Sequence, residues 1–130
     1  MNKKYLAKII AKDAQGLKLI SALCFGAKIK INDLKYLKKN QIFLALLERL
    51  KKDNVKSNQK INSICKFEFV ENVKSKNVNQ YNKDSCLELI AIDLFKNQDK
   101  YEINLFFNNN ACITLLTEII EVTLEDQSKN

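Results

Sequence analysis

The chain has 130 residues, a mass of 15.0 kDa, 46% hydrophobic residues and a formal net charge of +7. This length is typical of one domain, so we expect residues 1–130 to form a single domain with an ordinary hydrophobic core. The sequence contains no histidine, proline or tryptophan and only two glycines, which excludes histidine-based catalysis, histidine metal sites and glycine-rich phosphate loops.

The first predicted elements are a short strand and a helix. Apolar and β-branched residues indicate a strand over Tyr5–Lys12. Asp13 is a typical N-cap residue, and the apolar residues after it follow at helical spacing, which predicts a helix over Ala14–Phe25. Gly26 suits the left-handed conformation that ends such a helix.

A hairpin is predicted next. Ile29 and Ile31 alternate with polar residues, which is typical of a strand with one face in solvent, and this segment continues toward a polar turn at Lys38–Gln41. Ile42–Leu47 is apolar throughout and short, so we expect a central strand that is covered on both faces.

Further strands follow, separated by polar connections. Alternating or apolar stretches predict strands over residues 65–73, 86–95 and 101–107. The connections between strands are expected at Lys51–Asn62 and Asn77–Ser85, with a tight turn at Asn108–Asn110 because asparagine tolerates positive φ.

The last element is ambiguous between strand and helix. Ile113 and Leu115 lie on one face of a strand, whereas Val122 and Leu124 fall on the other, so a strand requires a bulge near Thr117–Ile120. A helix would instead collect the threonines and glutamates of this segment into one polar stripe. The β-branched content favours the bulged strand.

This order of elements predicts an α+β fold. We expect a mainly antiparallel sheet or half-barrel of about six to seven strands, with the one N-terminal helix packed on one face.

The pattern of cysteines and apolar runs bears on the compartment. No secretion signal or membrane-spanning run is visible, so we expect a soluble, cytoplasmic protein. The cysteines are widely spaced and each has an apolar neighbour, which predicts four thiols in the core rather than a disulfide or a metal site: Cys24, Cys65, Cys86 and Cys112. We expect no cofactor and no metal.

Charge is divided unevenly along the chain. Residues 1–60 hold 15 Lys and Arg against 4 Asp and Glu, a net +11, and residues 61–130 have a net −4. Arg49 is the only arginine, and Lys, Asn and Ile are abundant, so an adenine–thymine-rich gene is an alternative explanation for the lysines. A basic half also suggests a polyanion partner, or association between the basic and acidic regions of two copies.

The candidate polyanion site is a set of lysines around the predicted hairpin, with one tyrosine available for stacking on bases. Lysines neutralise phosphates and aromatic rings stack on unpaired bases, which gives sequence-tolerant binding. The set consists of Lys28, Lys30, Lys35, Tyr36, Lys38, Lys39, Lys51, Lys52 and Lys56.

Several residues along the chain are similar to one bacterial protein family. The opening of the family is matched by Asp13-Ala14, Leu17, Ile20-Ser21-Ala22, Ala27, Ile29, Ile31, Asp33, Tyr36-Leu37 and Phe43. Later fragments are Val73–Lys76, Leu89–Ile92, Ile113, Leu115 and Leu124–Asp126. The chain thus resembles domain of unknown function 2948, with Lys38 at an expected turn proline and lysines at many expected arginines. The resemblance implies no activity and no catalytic residues.

The functional expectation is a non-enzymatic module. Glu88 and Asp93 interrupt an apolar strand and form one candidate acid pair, although both are also consistent with a solvent-facing side of the sheet. We therefore expect an interaction or ligand-binding module that binds an unknown protein partner, itself or a small ligand. Nucleic-acid binding through the lysine-rich hairpin is the alternative, and no membrane partner is expected.

Overall fold

The computed structural model describes residues 6–50 and 59–127. Within these ranges the chain forms ten β-strands, one α-helix and one short 3-10 turn at Ile31–Asp33. The helix is α1 (Ala14–Cys24). The strands are β1 (Lys8–Ala11), β2 (Lys28–Lys30), β3 (Leu34–Leu37), β4 (Ile42–Leu50), β5 (Lys60–Phe67), β6 (Val70–Lys76), β7 (Cys86–Asn97), β8 (Lys100–Phe107), β9 (Cys112–Thr117) and β10 (Val122–Asp126).

Helix α1 confirms the predicted helix and its caps. The Asp13 carboxylate accepts a hydrogen bond from the backbone N–H of Gly16 at 2.8 Å, which satisfies one of the free donors of the first turn. Gly26 follows the helix with φ of +81°, a conformation in which a side chain would be strained. The helix buries Leu17 and Ile20 against the sheet.

All strand pairs in the sheet are antiparallel, as the sequence predicts. The order across the sheet is β1-β10-β5-β4-β2-β7-β8-β9-β6, and β3 pairs with β4 beside β2. The pair β1–β10 joins residues far apart in the chain, with Lys8 opposite Glu125. Strands from the two ends of the sequence therefore interleave in one half of the sheet.

One continuous core lies along the inner side of the sheet. Buried residues alternate along the strands, for example Ile103, Leu105 and Phe107 on β8, and they form one cluster with the buried side of α1. A flat ten-stranded sheet could not bring all these residues into one cluster with a single short helix. The sheet therefore curves around its inner face, and the edge strand β6 reaches β3 through the hydrogen bond between Tyr36 and Val70.

The expected count of six to seven strands is wrong, because three predicted segments are each divided by a bend. The 3-10 turn separates β2 from β3, so the seven residues from Lys28 to Leu34 lie opposite only four residues of β4, Ala45 to Glu48. A bend at Phe69, which has φ of +61°, separates β5 from β6.

The third bend resolves the ambiguity of the last element in favour of strands. Thr117 ends β9 and Val122 begins β10, and between them the buried positions change from odd to even residue numbers. The predicted break near Thr117–Ile120 is confirmed, but it is not a bulge within one strand: β9 pairs with β6 and β8, whereas β10 pairs with β1 and β5. The break lets both halves of the segment face the same core.

The prediction for Ile42–Leu47 is only partly right. Strand β4 is central in the sheet, and Phe43, Ala45 and Leu47 are buried. The opposite face is not fully covered, since Leu46 is 39% exposed. The outer side of this part of the sheet thus carries apolar residues that the sequence pattern assigned to the core.

Candidate ligand slot beside the lysine-rich hairpin

The predicted hairpin exists and places some of the candidate lysines on one face. In the β3–β4 pair, Lys35 lies opposite Leu44 and Tyr36 lies opposite the buried Phe43. Because side chains alternate across a strand, Lys35 is directed to the outer side of the sheet and Tyr36 to the inner side. Lys28 also belongs to the outer side, opposite Glu48 of β4.

The remaining predicted polyanion residues are spread along the hairpin. Lys38 and Lys39 are exposed in the turn, and Lys30 is exposed opposite Cys86 on β7. Three members of the set lie outside the described residues: Lys51, Lys52 and Lys56.

Lys28 differs from its neighbours because it has an acidic partner. Its Nζ atom lies 2.8 Å from Oε1 of Glu88, and this hydrogen bond, reinforced by the charge of the carboxylate, raises the pKa of Lys28 above its usual value. Within the described part of the chain, no ion pair is formed by Lys30, Lys35, Lys38 or Lys39.

Tyr36 is a packed residue as well as a hairpin residue. Its ring is half-buried against the core, and its hydroxyl donates a 2.7 Å hydrogen bond to the carbonyl of Val70 on β6. This bond connects β3 with β6, two strands from opposite halves of the curved sheet.

A slot of about 330 Å³ opens between β3 and β6. Among the described residues, each of these strands pairs on one side only, β3 with β4 and β6 with β9. The slot is lined by Ile31, Asn32, Leu34, Lys35, Tyr36, Phe43, Val73, Ser75, Val78, Gln80, Lys83 and Ile113.

Backbone hydrogen bonds close the slot at both ends. At one end the N–H of Val70 donates to the carbonyl of Gln41 at 2.8 Å. At the other end the N–H groups of Ile31 and Asn32 donate to the carbonyls of Ser85 and Lys83, both at 3.0 Å. These bonds limit the length of the gap between β3 and β6, which leaves less room for an added strand than an open sheet edge would.

Two larger hollows, of about 540 and 590 Å³, lie on the outer side of the sheet. Each hollow is lined by both basic and acidic residues, and some of these form ion pairs with one another. Lys8 lies 3.7 Å from Glu125 across the β1–β10 pair. In the same hollow, a hydrogen bond with Glu121, together with burial, raises the pKa of Glu68. These hollows offer no uniform charge to a ligand.

One buried polar cluster lies at the far end of β4. Arg49 and Asp126 are each 4% exposed, and both Asp126 oxygens accept from Nη2 of Arg49, at 3.0 and 2.9 Å. Ser63 donates to the same carboxylate at 2.6 Å, and the N–H of Ala7 donates at 2.9 Å. The partners come from β4, β5 and β10 and from Ala7, the residue before β1, so the cluster holds these strands together.

The comparisons with known proteins place the chain in one family. A family model whose description is "Protein of unknown function (DUF2948)" matches residues 7–130. The chain belongs to the DUF2948 family. No curated protein and no solved structure matches it.

The cysteines of this DUF2948 protein do not all lie in the core. Cys24 and Cys65 are buried, and burial raises the pKa of the Cys65 thiol well above its usual value. Cys86 is exposed and Cys112 is half-buried, so the prediction of four core thiols is wrong for these two. Each lies at the first position of a strand on its outer side, where an adjacent apolar residue does not imply burial.

The two carboxylates considered as an acid pair have different environments in the DUF2948 fold. Glu88 is held by Lys28, and Asp93 is exposed opposite Asn104 on β8. Over residues 6–50 and 59–127, no group of three or more His, Cys, Asp and Glu residues is placed to hold a metal ion. No helix in the same ranges is long and apolar enough to cross a membrane.

Among the described residues, strand pairing brings basic and acidic parts of the sequence together. Lys8 and Lys28 from the basic half pair with Glu125 and Glu88 from the acidic half, because β1 pairs with β10 and β2 with β7. Association between copies of this DUF2948 protein stays a prediction.

Sequence reasoning missed part of the slot. Ser75, Val78, Gln80 and Lys83 lie in or after β6, in segments that the pattern assigned to a strand end and a polar connection. Nothing in their local sequence indicates a binding role. They become part of a site only because the curvature of the sheet brings β6 and residues 77–85 to β3.

Proposed function

We propose that this protein is a non-enzymatic ligand-binding module and that the slot between β3 and β6 is its binding site. The observation that carries the proposal is the slot itself, a concavity with a largely apolar wall and a few polar groups at its opening. Its volume of about 330 Å³ lies at the lower end of the range for small-molecule sites. Both ends are closed by backbone hydrogen bonds, so the site is preformed.

The apolar wall determines what kind of contact the slot offers. Phe43 and Ile113 are buried at its base, while Val73 and Val78 are half-buried at its sides. A ligand that covers these side chains gains about 0.8 kcal/mol for each CH₂ group that it buries. An alkyl chain or a ring is therefore the expected body of the ligand.

The test is an NMR titration of the ¹⁵N-labelled protein with octan-1-ol, a neutral apolar probe. We expect saturable shifts in the amides of Leu34, Val73, Val78 and Ile113. The variant Val78→Trp, which fills the slot from its outer side, should abolish these shifts. The control variant Leu19→Trp places the same ring on an exposed position of α1 and should leave them intact. Shifts that do not saturate, or that persist in Val78→Trp, would disprove the proposal.

Sequence-tolerant nucleic-acid binding is the second candidate function, and one observation favours it. Lys30, Lys35, Lys38 and Lys39 are exposed, and within the described residues none of them forms an ion pair. Lysines in this state are free to contact phosphates. Tyr36 is poorly placed to stack on bases, because its ring is half-buried and its hydroxyl is hydrogen-bonded to the carbonyl of Val70.

The two candidates separate in a binding assay with labelled single-stranded RNA at about 50 and about 200 mM salt. Four phosphate contacts would give a log–log slope of about −3, because each contact on a single strand contributes roughly −0.7. Lys38→Gln/Lys39→Gln should then reduce the slope by about 1.4. Neither residue lines the slot, so octan-1-ol binding should not change. The absence of RNA binding at the lower salt concentration would reject this candidate.

A further inference from the structure

The charged residues that line the slot have one sign. Lys35 on β3 and Lys83 in the 77–85 connection both line the slot, and both are exposed at its opening. No described Asp or Glu belongs to the lining. Asp33 and Asp84 are chain neighbours of lining residues. Asp33 instead lines a hollow on the outer side of the sheet, and Asp84 lines neither that hollow nor the slot.

Neutral hydrogen-bonding groups accompany the two lysines. Asn32, Ser75 and Gln80 also line the slot, and Nε2 of Gln80 lies 3.4 Å from Oγ of Ser75, a long hydrogen bond. The polar part of the lining thus consists of cations and neutral donors, above a wall of apolar side chains. This arrangement is complementary to an anionic oxygen group attached to an apolar body.

We infer that the natural ligand of the slot is a small molecule with an apolar body and one anionic group, a carboxylate or a phosphate. This inference rests on the proposed function, since it names the ligand class of the same site. The apolar body covers Phe43, Val73 and Ile113, and the anionic group lies at the opening near Lys35 and Lys83.

The contribution of each lysine to binding is moderate. Lysine stems are long enough to lie along apolar surface while the ammonium group stays in water. Because both groups are solvated, each contributes at most about a fivefold gain in affinity at low salt. The anionic group therefore selects among ligands, while the apolar wall supplies most of the affinity.

The experiment compares four probes of equal chain length by the same NMR titration: octanoate, octyl phosphate, octan-1-ol and octylammonium. We expect octanoate or octyl phosphate to bind at least fivefold more tightly than octan-1-ol, and octylammonium to bind most weakly. The stronger of the two anions identifies the head group. The advantage of the anions should decrease as salt is raised.

A matched pair of double variants assigns the effect to the two lysines. Lys35→Gln/Lys83→Gln should bring the affinity of the anion down to that of octan-1-ol measured with the same variant. Lys18→Gln/Lys96→Gln makes the same change in net charge on exposed lysines outside the slot, and the advantage of the anion should survive.

Each outcome has a distinct meaning. Equal affinity for the anions and octan-1-ol would overturn the ligand class while leaving the binding site in place. An equal loss in both double variants would also overturn it, because the effect would then come from net charge. Failure of all four probes to bind would instead reject the proposed function.

Discussion

Arg49 shows why one arginine stands in a chain whose other basic residues are all lysine. Its guanidinium is buried and reaches both oxygens of Asp126 while Nε approaches Oγ of Ser63 at 3.2 Å. A planar group with several donors can satisfy a carboxylate in this way, whereas the single ammonium of lysine cannot. Because lysine is abundant throughout the chain, the sequence does not show which lysines have a specific role. A single arginine in such a chain is a clearer indication of a specific role.

We expect removal of the Arg49 side chain to destabilise the protein strongly. Arg49→Ala leaves the Asp126 carboxylate buried without its cation and should lower the free energy of unfolding by about 3–5 kcal/mol. Arg49→Lys should recover only part of that loss. Urea unfolding followed by circular dichroism measures both effects.

Lys8→Gln is the matched control for this prediction. It removes one member of the exposed Lys8–Glu125 pair on neighbouring strands and should change the free energy of unfolding by less than about 1 kcal/mol. If Arg49→Ala were as mild as Lys8→Gln, the Arg49–Asp126 cluster would not be a stabilising contact.

The same cluster predicts how stability depends on pH. Burial alone would raise the pKa of Asp126, but hydrogen bonds from Ser63, Ala7 and Arg49, with the charge of Arg49, lower it below its ordinary value of 3.8. The stabilisation is therefore complete above the pKa of the unfolded chain and is lost as pH falls through the lower pKa of the folded protein.

Urea unfolding at pH 7, 5, 4 and 3 tests this dependence. We expect the free energy of unfolding to decrease below about pH 4, in the region where Asp126 of the unfolded chain takes up a proton. Asp126→Asn should be less stable at pH 7 and should show a flatter profile at low pH, so that the two curves converge. Parallel curves for the two proteins would contradict the assignment to Asp126.

At the scale of elements, the sequence pattern predicted most strands, but it predicted only some of the bends between them. The break between β9 and β10 was predictable because the apolar residues change parity there. The bend at Phe69 was not, since phenylalanine neither favours positive φ nor interrupts an alternating pattern. Its cause is tertiary, because Glu68 and Val70 on either side are held by backbone hydrogen bonds to Glu121 and Gln41.

The conformation of Phe69 leads to a test on that single bend. A residue with a side chain at φ of +61° costs roughly 1–2 kcal/mol relative to a right-handed conformation, and glycine avoids this cost. Phe69→Gly should therefore leave the free energy of unfolding within about 0.5 kcal/mol of the wild type, despite the loss of the ring and the added freedom of the unfolded chain.

Phe95→Gly provides the comparison for the bend. Phe95 is 51% exposed and Phe69 is 41% exposed, but Phe95 lies within β7 at a regular strand position. Phe95→Gly should lower the free energy of unfolding by about 1 kcal/mol or more, because glycine is unfavourable within a strand. Phe95 does not have positive φ, so glycine relieves no strain there. Equal losses for the two variants in thermal unfolding would show that Phe69 is not strained.

At the scale of the whole molecule, strand pairing and the slot depended on information absent from local patterns. The sequence predicted the α+β class, the helix, the β3–β4 hairpin and two of the slot residues, Lys35 and Tyr36. It did not predict that β1 pairs with β10 or that β6 faces β3, because such pairings depend on how the complete sheet curves. The other slot residues became recognisable only through that curvature.

The curvature of the sheet also provides a physical reason to expect a single domain. The β2–β7 pair joins the two halves of the sheet, and both halves contribute to one buried cluster that includes Leu105 of β8 and Leu124 of β10. A cluster shared in this way should unfold in one step. Scanning calorimetry should give one transition whose calorimetric and van't Hoff enthalpies agree.

Variants in the two halves of the sheet test whether the halves unfold together. Leu105→Ala and Leu124→Ala each remove a fully buried side chain and should lower the free energy of unfolding by about 2–5 kcal/mol. Because the core is shared, each substitution should shift the whole calorimetric transition and the hydrogen exchange of the slowest amides in both halves. A variant that separates the transition into two peaks, or that speeds exchange only in its own half, would show that the halves are independent folding units.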